Sequence, residues 1–158
     1  MAKEIEDGEF IIATASVRDD GTTPQLVPLS YPAVADYQVV AALQAAAVAE
    51  GFSKPNIGIA RTTAAFYPGV LSSDVQTWMD ARVIAVEMEL ATLLVIASLR
   101  GARAGGLFVS DGNVARGLEA AIGGQTLDPF AYNPHREVVH QGVQVMLKVA
   151  LEALVRLD

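Results

Sequence analysis

The sequence has 158 residues, of which 52% are apolar, and its formal net charge is −7 at pH 7. That length suits one domain with a sizeable core, and the acidic balance argues against nucleic acid or an anionic membrane surface as a partner. The chain has no cysteine, which excludes disulfides and thiolate chemistry. Its first ten residues, MAKEIEDGEF, lack the apolar stretch of a signal peptide, so we expect a cytoplasmic protein. The longest apolar run, Leu90–Leu99, is too short for a bilayer, which takes about 20 residues.

The first part of the chain predicts two buried strands with a helix between them. Residues rich in Phe, Ile, Val and Thr predict a strand over Gly8–Val17. Prolines up to position 32 keep the next segment extended or looped, because proline lacks an amide donor. Asp36 is a suitable N-cap for a helix over Tyr37–Glu50, whose apolar face comprises Val39, Val40, Leu43, Ala46 and Ala47. Asn56–Ala60 then predicts another buried strand.

The segment from position 83 to 113 predicts a strand, a helix and a second strand. Val83–Val86 is a short apolar run, and Glu89–Arg100 has helical spacing of its apolar residues Leu90, Leu93, Leu94 and Ala97. A second apolar run, Ala104–Val109, ends in the turn-forming residues Ser-Asp-Gly-Asn. Upstream, Ser73 or Asp74 is placed to cap a short helix.

The C-terminal part predicts one long helix after an irregular segment. Val114–Pro129 is glycine-rich and predicts a short helix with a mobile flap, and Pro134 suits the start of a helix. The expected apolar face of this helix comprises Val139, Val143, Met146, Ala150, Ala153 and Leu157. Strands that alternate with helices indicate an α/β domain with a mixed or largely parallel sheet flanked by helices.

Acidic residues follow two of the predicted strands. Ligands bind outside the carboxyl ends of parallel strands, so we expect Glu87, Glu89 and Asp111 to converge at one edge of the sheet. A simpler interpretation makes the glutamates helix N-terminal carboxylates, which the helix dipole favours. For Asp111 the simpler interpretation is an Asx turn with Asn113.

Four stretches of the chain also carry a family resemblance. They are TASVRDDGT at 14–22, YPAVADY at 31–37, AAFYPG at 64–69, and VEME at 86–89 followed by a strand that ends VSD at 109–111. Together they resemble the nucleoside phosphorylase family, which includes uridine phosphorylase, hexameric purine nucleoside phosphorylase and methylthioadenosine phosphorylase. The resemblance covers essentially the whole chain and implies the phosphorylase/hydrolase-like fold as a single domain. Family members begin with a further N-terminal part that holds most of the phosphate site, and this part is expected to be absent here.

The resemblance implies roles for particular residues. It implies a substrate-binding set of Phe66, Glu87, Met88, Glu89 and Ser110, in which Glu89 holds ribose hydroxyls, Met88 packs on the sugar and Phe66 stacks on the base. It also implies that Asp111 is the catalytic acid that protonates the leaving base in purine-cleaving members. Without the resemblance, Phe66 would be assigned to the core, as most aromatic residues are.

The expected base is a purine, with uridine as the alternative. Uridine-cleaving members use a Gln and an Arg shortly after Phe-Tyr-Pro-Gly, and here those positions hold Val70 and Ser72. Purine-cleaving bacterial members have a later arginine that assists the acid, for which Arg116 is the candidate.

The implied reaction is phosphorolysis of ribonucleosides to free base and ribose 1-phosphate, with inorganic phosphate as co-substrate and no cofactor. No metal is expected, because His135 and His140 lack the His-Glu-x-x-His spacing. A homo-oligomer, a dimer or hexamer as in the family, is expected to bury part of Tyr31–Tyr37 or Leu90–Leu99. The rival interpretations are a non-catalytic fragment that binds nucleoside weakly and a hydrolytic nucleosidase.

Overall fold

A computed structural model describes residues 2–66, 74–116 and 133–157. Its strands are β1 Phe10–Asp19, β2 Ala33–Val34, β3 Asn56–Thr63, β4 Ala85–Glu87 and β5 Gly106–Val109. Its helices are α1 Tyr37–Ala49, α2 Val75–Asp80, α3 Leu90–Leu99 and α4 Glu137–Val155, with a 3-10 turn at Thr23–Gln25. The sequence-based predictions for Val70, Ser72 and most of Val114–Pro129 lie outside the described residues. The predicted α/β class with a mixed sheet is confirmed.

The sheet is organised around β1. Strand β3 runs parallel to β1 along one edge, and β4 runs parallel to β3. The other edge of β1 is shared by two antiparallel strands, with β5 beside Phe10–Ala13 and β2 beside Ala15 and Ser16. A register shift between Ala13 and Ala15 marks a bulge, which bends a strand and increases its twist. The sequence did not predict β2, because its prolines left that segment as a loop.

The two faces of the sheet are covered by different helices. Ile11 and Ala13 of β1 belong to an apolar cluster with α3, whereas Phe10 and Ile12 belong to a second cluster with α1 and α4. Side chains alternate between the two faces of a strand, and here both faces are buried. This explains why β1 is apolar along most of its first half rather than alternately apolar and polar.

The helix predictions differ in how well they located the buried face. Helix α1 begins as predicted, with Asp36 Oδ1 accepting the N–H groups of Gln38 (2.9 Å) and Val39 (3.2 Å). In α3 the helical spacing involves Leu90, Leu93, Leu94 and Ala97, whereas the buried residues are Leu90, Ala91, Leu94 and Val95 and Leu93 is 51% exposed. The helix itself is observed, but because α3 is apolar all round, spacing alone does not identify its inner face.

Helix α4 begins at Glu137, three residues after the predicted start at Pro134. Its buried residues are Val139, Gly142, Val149 and Ala153, so only part of the predicted face is correct. Within the described residues α4 alone is long and apolar enough to cross a membrane, which is weak evidence because core helices pass the same test. Here α4 packs against α1 and β5.

Two glycines allow α4 to approach the N-terminal segment closely. A Cβ atom on Gly142 would lie 2.3 Å from the backbone oxygen of Gly8, and a Cβ atom on Gly8 would lie 2.5 Å from the backbone oxygen of Val138. Gly8 also has φ of +85°, which favours glycine. The N–H of Gly8 donates to the oxygen of Ser110, the residue after β5, at 2.8 Å. Gly8 therefore joins α4, which it contacts through Gly142, to the end of β5.

We predict that Gly142→Ala destabilises the protein although alanine is the better helix former. Alanine should gain about 1 kcal/mol in helix propensity, but its Cβ would overlap backbone atoms of Gly8, and overpacking typically costs about 1–3 kcal/mol. Urea unfolding should therefore show a lower midpoint. The matched control is Gly21→Ala, where a Cβ meets nothing within 4 Å. An increase in stability for Gly142→Ala would show that α4 does not depend on the close contact.

Candidate active site

Glu87, the last residue of β4, holds the N-terminus of α3. Its Oε2 atom accepts the backbone N–H groups of Glu89 at 2.7 Å and Leu90 at 2.6 Å, and its Oε1 atom accepts the hydroxyl of Thr62. The first N–H groups of a helix lack partners within the helix, and a carboxylate there also suits the helix dipole. The structure therefore gives the helix-terminus role to Glu87.

Met88 and Glu89 lie between this cap and the first residue of α3. Met88 is 37% exposed, and Glu89 is exposed and occupies the N-cap position without a capping bond from its side chain. Within the described part of the chain, no residue bonds to the Glu89 carboxylate. The two glutamates therefore differ, since the carboxylate of Glu87 is used by the fold and that of Glu89 is available to a ligand.

Phe66 lies three residues beyond the end of β3 and is 43% exposed. It belongs to neither of the two apolar clusters of the core. The interpretation of Phe66 as a core residue is therefore wrong, which leaves the role implied by the resemblance as a prediction. The side chain has the exposure that stacking on a ligand requires.

Ser110 and Asp111 border a small cavity of about 60 Å³. One wall is formed by Ala85 and Val86 of β4 and by Ile84, the residue before that strand. The opposite wall is the segment from Phe108 to Val114, and Ile5 and Ile11 complete the lining. The lining thus combines apolar side chains with the polar residues Ser110, Asp111 and Asn113.

The carboxyl group of Asp111 is half-buried in this apolar setting. Burial is the largest cause and raises the pKa of Asp111 above its usual value. A hydrogen bond from the backbone amide of Asp111 lowers this pKa, the negative charge of Asp7 raises it, and the positive charge of Arg136 lowers it. A carboxyl group with a raised pKa is more readily protonated near neutral pH, which a general acid requires. The chemistry that the resemblance implies for Asp111 is therefore consistent with its environment.

The arginine beside Asp111 is Arg136 rather than Arg116. Arg136 Nη2 donates to the backbone oxygen of Asp111 at 2.8 Å, and its Nη1 pairs with Asp7. Arg116 instead forms a bidentate pair with Glu6 and lies on the surface. The sequence-based candidate for the arginine next to the acid is therefore wrong.

The alternative interpretation of Asp111 as an Asx-turn residue is also not observed. Asn113 plays that part, with its Oδ1 accepting the N–H groups of Ala115 at 3.1 Å and Arg116 at 3.3 Å. Its Nδ2 donates to the backbone oxygens of Ala2 and Ile5, which fastens the N-terminal segment to the cavity. Asp111 is thus left to face the cavity.

The expected convergence of the three acidic residues at one sheet edge is wrong. Strand β5 is antiparallel to β1, and Val109 pairs with Phe10 near the start of β1. Glu87 pairs with Thr62, which pairs with Arg18 near the end of β1. The carboxyl ends of β4 and β5 therefore lie at opposite ends of β1, although residues of both strands line the cavity. An apolar run identifies a strand but not its direction.

Comparison with known proteins identifies the family. The family model described as "Phosphorylase superfamily" matches residues 1–155. This chain is a member of that superfamily. It is similar to a purine nucleoside phosphorylase of Plasmodium vivax, with 31% identity over 98% of this chain and 58% of the relative. It is also similar to a uridine phosphorylase of Haemophilus influenzae, with 38% identity over 64% of this chain and 45% of the relative.

The fold of a solved family member agrees with that of this chain. The crystal structure of purine nucleoside phosphorylase from Toxoplasma gondii in complex with immucillin-H matches with a TM-score of 0.81 and 25% sequence identity. The match covers 99% of this chain and 58% of that structure. The chain thus spans little more than half the length of the relatives it matches over its full extent.

Sequence reasoning missed three residues that organise the site. Thr62 lay beyond the predicted strand Asn56–Ala60, which β3 extends to Thr63. Asp7 and Arg136 lay in segments that carried no motif. The signal available for Arg136 was its place just before the final helix, but sequence spacing alone cannot show that this position packs beside Asp111.

In the described ranges, no group of three His, Asp or Glu residues is arranged to hold a metal ion.

We predict that Asp111→Asn stabilises the folded protein at neutral pH. A carboxyl group with a raised folded-state pKa contributes stability below its unfolded pKa, near 3.8, and that contribution is lost as the pH rises through the folded pKa. The uncharged Asn should therefore be more stable than wild type at pH 7, and the difference should vanish in acid. Urea unfolding over a pH series measures this. Glu50→Gln, at an exposed position, is the control. Lower stability of Asp111→Asn at pH 7 would contradict the assigned environment.

Proposed function

We propose that this chain binds ribonucleosides and takes part in their phosphorolysis to free base and ribose 1-phosphate, with inorganic phosphate as co-substrate and no other cofactor. The main support for the proposal is the half-buried carboxyl group of Asp111, which borders a cavity that residues of β4 also line. Family membership supports it, since the named relatives include purine nucleoside and uridine phosphorylases. Because the chain spans 58% of the Plasmodium vivax relative, the activity of the whole relative is part of this proposal.

The resemblance assigns the proposed chemistry to two carboxyl groups, although the strands that carry Asp111 and Glu89 end at opposite ends of β1. A phosphate oxygen attacks the anomeric carbon, and the bond from that carbon to the base breaks with its electron pair going to the base. Protonated Asp111 gives its proton to the purine ring, so the base leaves neutral. Glu89 accepts hydrogen bonds from the ribose hydroxyls while positive charge develops on the sugar ring.

A purine is the preferred base in this proposal. An acid next to the base can protonate a purine ring nitrogen, and Asp111 has a raised pKa that suits this step. Uridine-type recognition in the family relies on a Gln and an Arg where this chain has Val70 and Ser72. A base whose polar groups are left without partners in a buried site loses about 1–3 kcal/mol for each group.

The experiment is incubation with inosine, adenosine, methylthioadenosine and uridine, with and without inorganic phosphate. Chromatography of free base and ribose 1-phosphate should show phosphate-dependent cleavage that is faster for the purine nucleosides. Asp111→Asn should reduce purine cleavage about 10²- to 10⁴-fold, the usual contribution of a general acid, and should retain nucleoside binding. Glu89→Gln should lose binding measured by calorimetry with little change in stability, because the fold does not use that carboxylate.

The matched control is Glu50→Gln, an exposed glutamate at the end of α1. Base release without phosphate would indicate a hydrolytic nucleosidase, and binding without cleavage would indicate a non-catalytic nucleoside-binding domain. A clear preference for uridine would contradict the purine assignment. Absence of both binding and cleavage would contradict the proposal as a whole.

We also propose that the chain forms a homo-oligomer through one exposed apolar surface. The hydroxyl of Tyr31 hydrogen-bonds to Ser98 of α3 at 2.7 Å, which joins the two segments expected at the interface into one surface. Its large exposed apolar residues are Leu29, Val34, Tyr37, Leu93, Ile96 and Leu99. A self-complementary surface of this kind is what a symmetric dimer uses, and apolar patches on soluble proteins usually mark interfaces.

We predict that size-exclusion chromatography with light scattering detects an oligomer that Leu93→Glu dissociates. Leu93 is 51% exposed at the centre of α3, so a buried charge there should disrupt association without disturbing the core. The control is Leu154→Glu on α4, at a residue that is 61% exposed. Dissociation by the control alone would place the interface on α4, and a stable wild-type monomer at micromolar concentration would contradict oligomerisation.

A further inference from the structure

A chain of hydrogen bonds crosses three neighbouring strands beneath the N-terminus of α3. Ser16 of β1 and Thr62 of β3 have their hydroxyl oxygens 2.7 Å apart, and the Thr62 hydroxyl donates to Glu87 of β4. The N–H of Ala91 donates to the same Thr62 oxygen at 2.8 Å. Thr62 is fully buried and Ser16 is 6% exposed. Water therefore does not compete for the bonds that Thr62 forms with Ser16 and Ala91.

The proton count fixes the direction of this chain. A hydroxyl group has one proton and two lone pairs, and a carboxylate only accepts. Thr62 must therefore give its proton to Glu87, and Ser16 must give its proton to Thr62. The Thr62 oxygen then accepts from Ser16 and from the Ala91 N–H. All its bonding capacity is used, so the hydroxyl has a single orientation.

The consequence of this arrangement reaches Glu89. Thr62 orients Glu87, and Glu87 holds the N–H groups of Glu89 and Leu90. Thr62 also binds the next N–H along α3, that of Ala91. The first turn of α3 is thus fixed to the sheet through one buried hydroxyl, and the backbone that carries the Glu89 carboxylate is fixed with it.

We propose that Thr62 is a positioning residue for ribose recognition, acting through Glu87 on Glu89. This inference rests on the proposed function, in which Glu89 accepts hydrogen bonds from the ribose hydroxyls. A carboxylate that must meet two vicinal hydroxyls needs a defined place, and small misplacements of binding groups can cost up to about 10²-fold. The loss of the Thr62 hydroxyl should therefore weaken recognition of the ribose hydroxyls in particular.

The test compares inosine with 2′-deoxyinosine as ligands of wild type, Thr62→Val and Thr62→Ser. Calorimetry should show that wild type prefers inosine and that Thr62→Val reduces this preference by about tenfold or more. Thr62→Ser, which keeps the hydroxyl, should restore the preference. Hydrogen exchange at the amides of Glu89, Leu90 and Ala91 should be faster in Thr62→Val. A merely structural role would lower stability and weaken both ligands by the same factor.

Each further outcome decides the inference. If Thr62→Val does not fold, Ser16→Ala, which removes the donor to Thr62 and otherwise only two long contacts to backbone oxygens, takes its place and should also reduce the preference. Wild type that prefers inosine, together with variants that keep the same preference, would overturn the inference and leave the proposed function intact. Wild type that binds neither ligand would contradict the proposed function, and the inference with it.

Discussion

The rest of this structure depends on how β1 is surrounded. Other strands pair with both of its edges, and helices cover both of its faces. Strand β3 occupies one edge of β1, so β2 and β5 must share the other, and both run antiparallel. This arrangement places the end of β5, with Asp111, beside the start of β1, whereas β4 pairs with β3 and ends level with the other end of β1. The separation of the two acidic positions is therefore a consequence of strand direction. The cavity that β4 and the segment after β5 line together borders Asp111, but neither Glu87 nor Glu89 lines it.

The acidic residues of the site have different environments, and these set what each can do. Glu87 is satisfied by backbone N–H groups and by Thr62, so it serves the fold. Glu89, two residues later, is exposed, which suits a carboxylate that accepts from sugar hydroxyls. Asp111 is partly desolvated, which favours its neutral form and suits a proton donor. In the sequence, Glu87 and Glu89 look equivalent. Hydrogen bonds distinguish them, because the Glu87 carboxylate binds the fold and the Glu89 carboxylate is available to a ligand.

The features that the sequence could predict were those with a local physical signal. Asp36 was identified as an N-cap because capping involves only residues two and three positions away, and the strand and helix around Glu87 followed from local periodicity. The inner face of α3 was not predictable, because a helix that is apolar all round has no distinguishing stripe. The direction of β5 and the contact of Arg136 with Asp111 were also inaccessible, since both depend on how distant segments pack. For the same reason Thr62 is unremarkable in the sequence, and its role emerges only when three strands lie side by side.

The same sheet end also holds the segment that carries Phe66. Arg61 of β3 is 9% exposed, forms a bidentate pair with Asp74 before α2, and binds Asp19 at the end of β1. Trp78 lies 5.0 Å from the guanidinium and donates to Asp74 at 2.7 Å. Burial raises the pKa of Asp74, but the hydrogen bonds from Trp78 and Arg61 outweigh it and hold that pKa below its usual value. Removing a guanidinium from water is costly, so such a pair contributes less to stability than its geometry suggests. The pair between Arg61 and Asp74 holds the start of α2 next to β3. It therefore fixes the two ends of the segment between β3 and α2, to which Phe66 belongs.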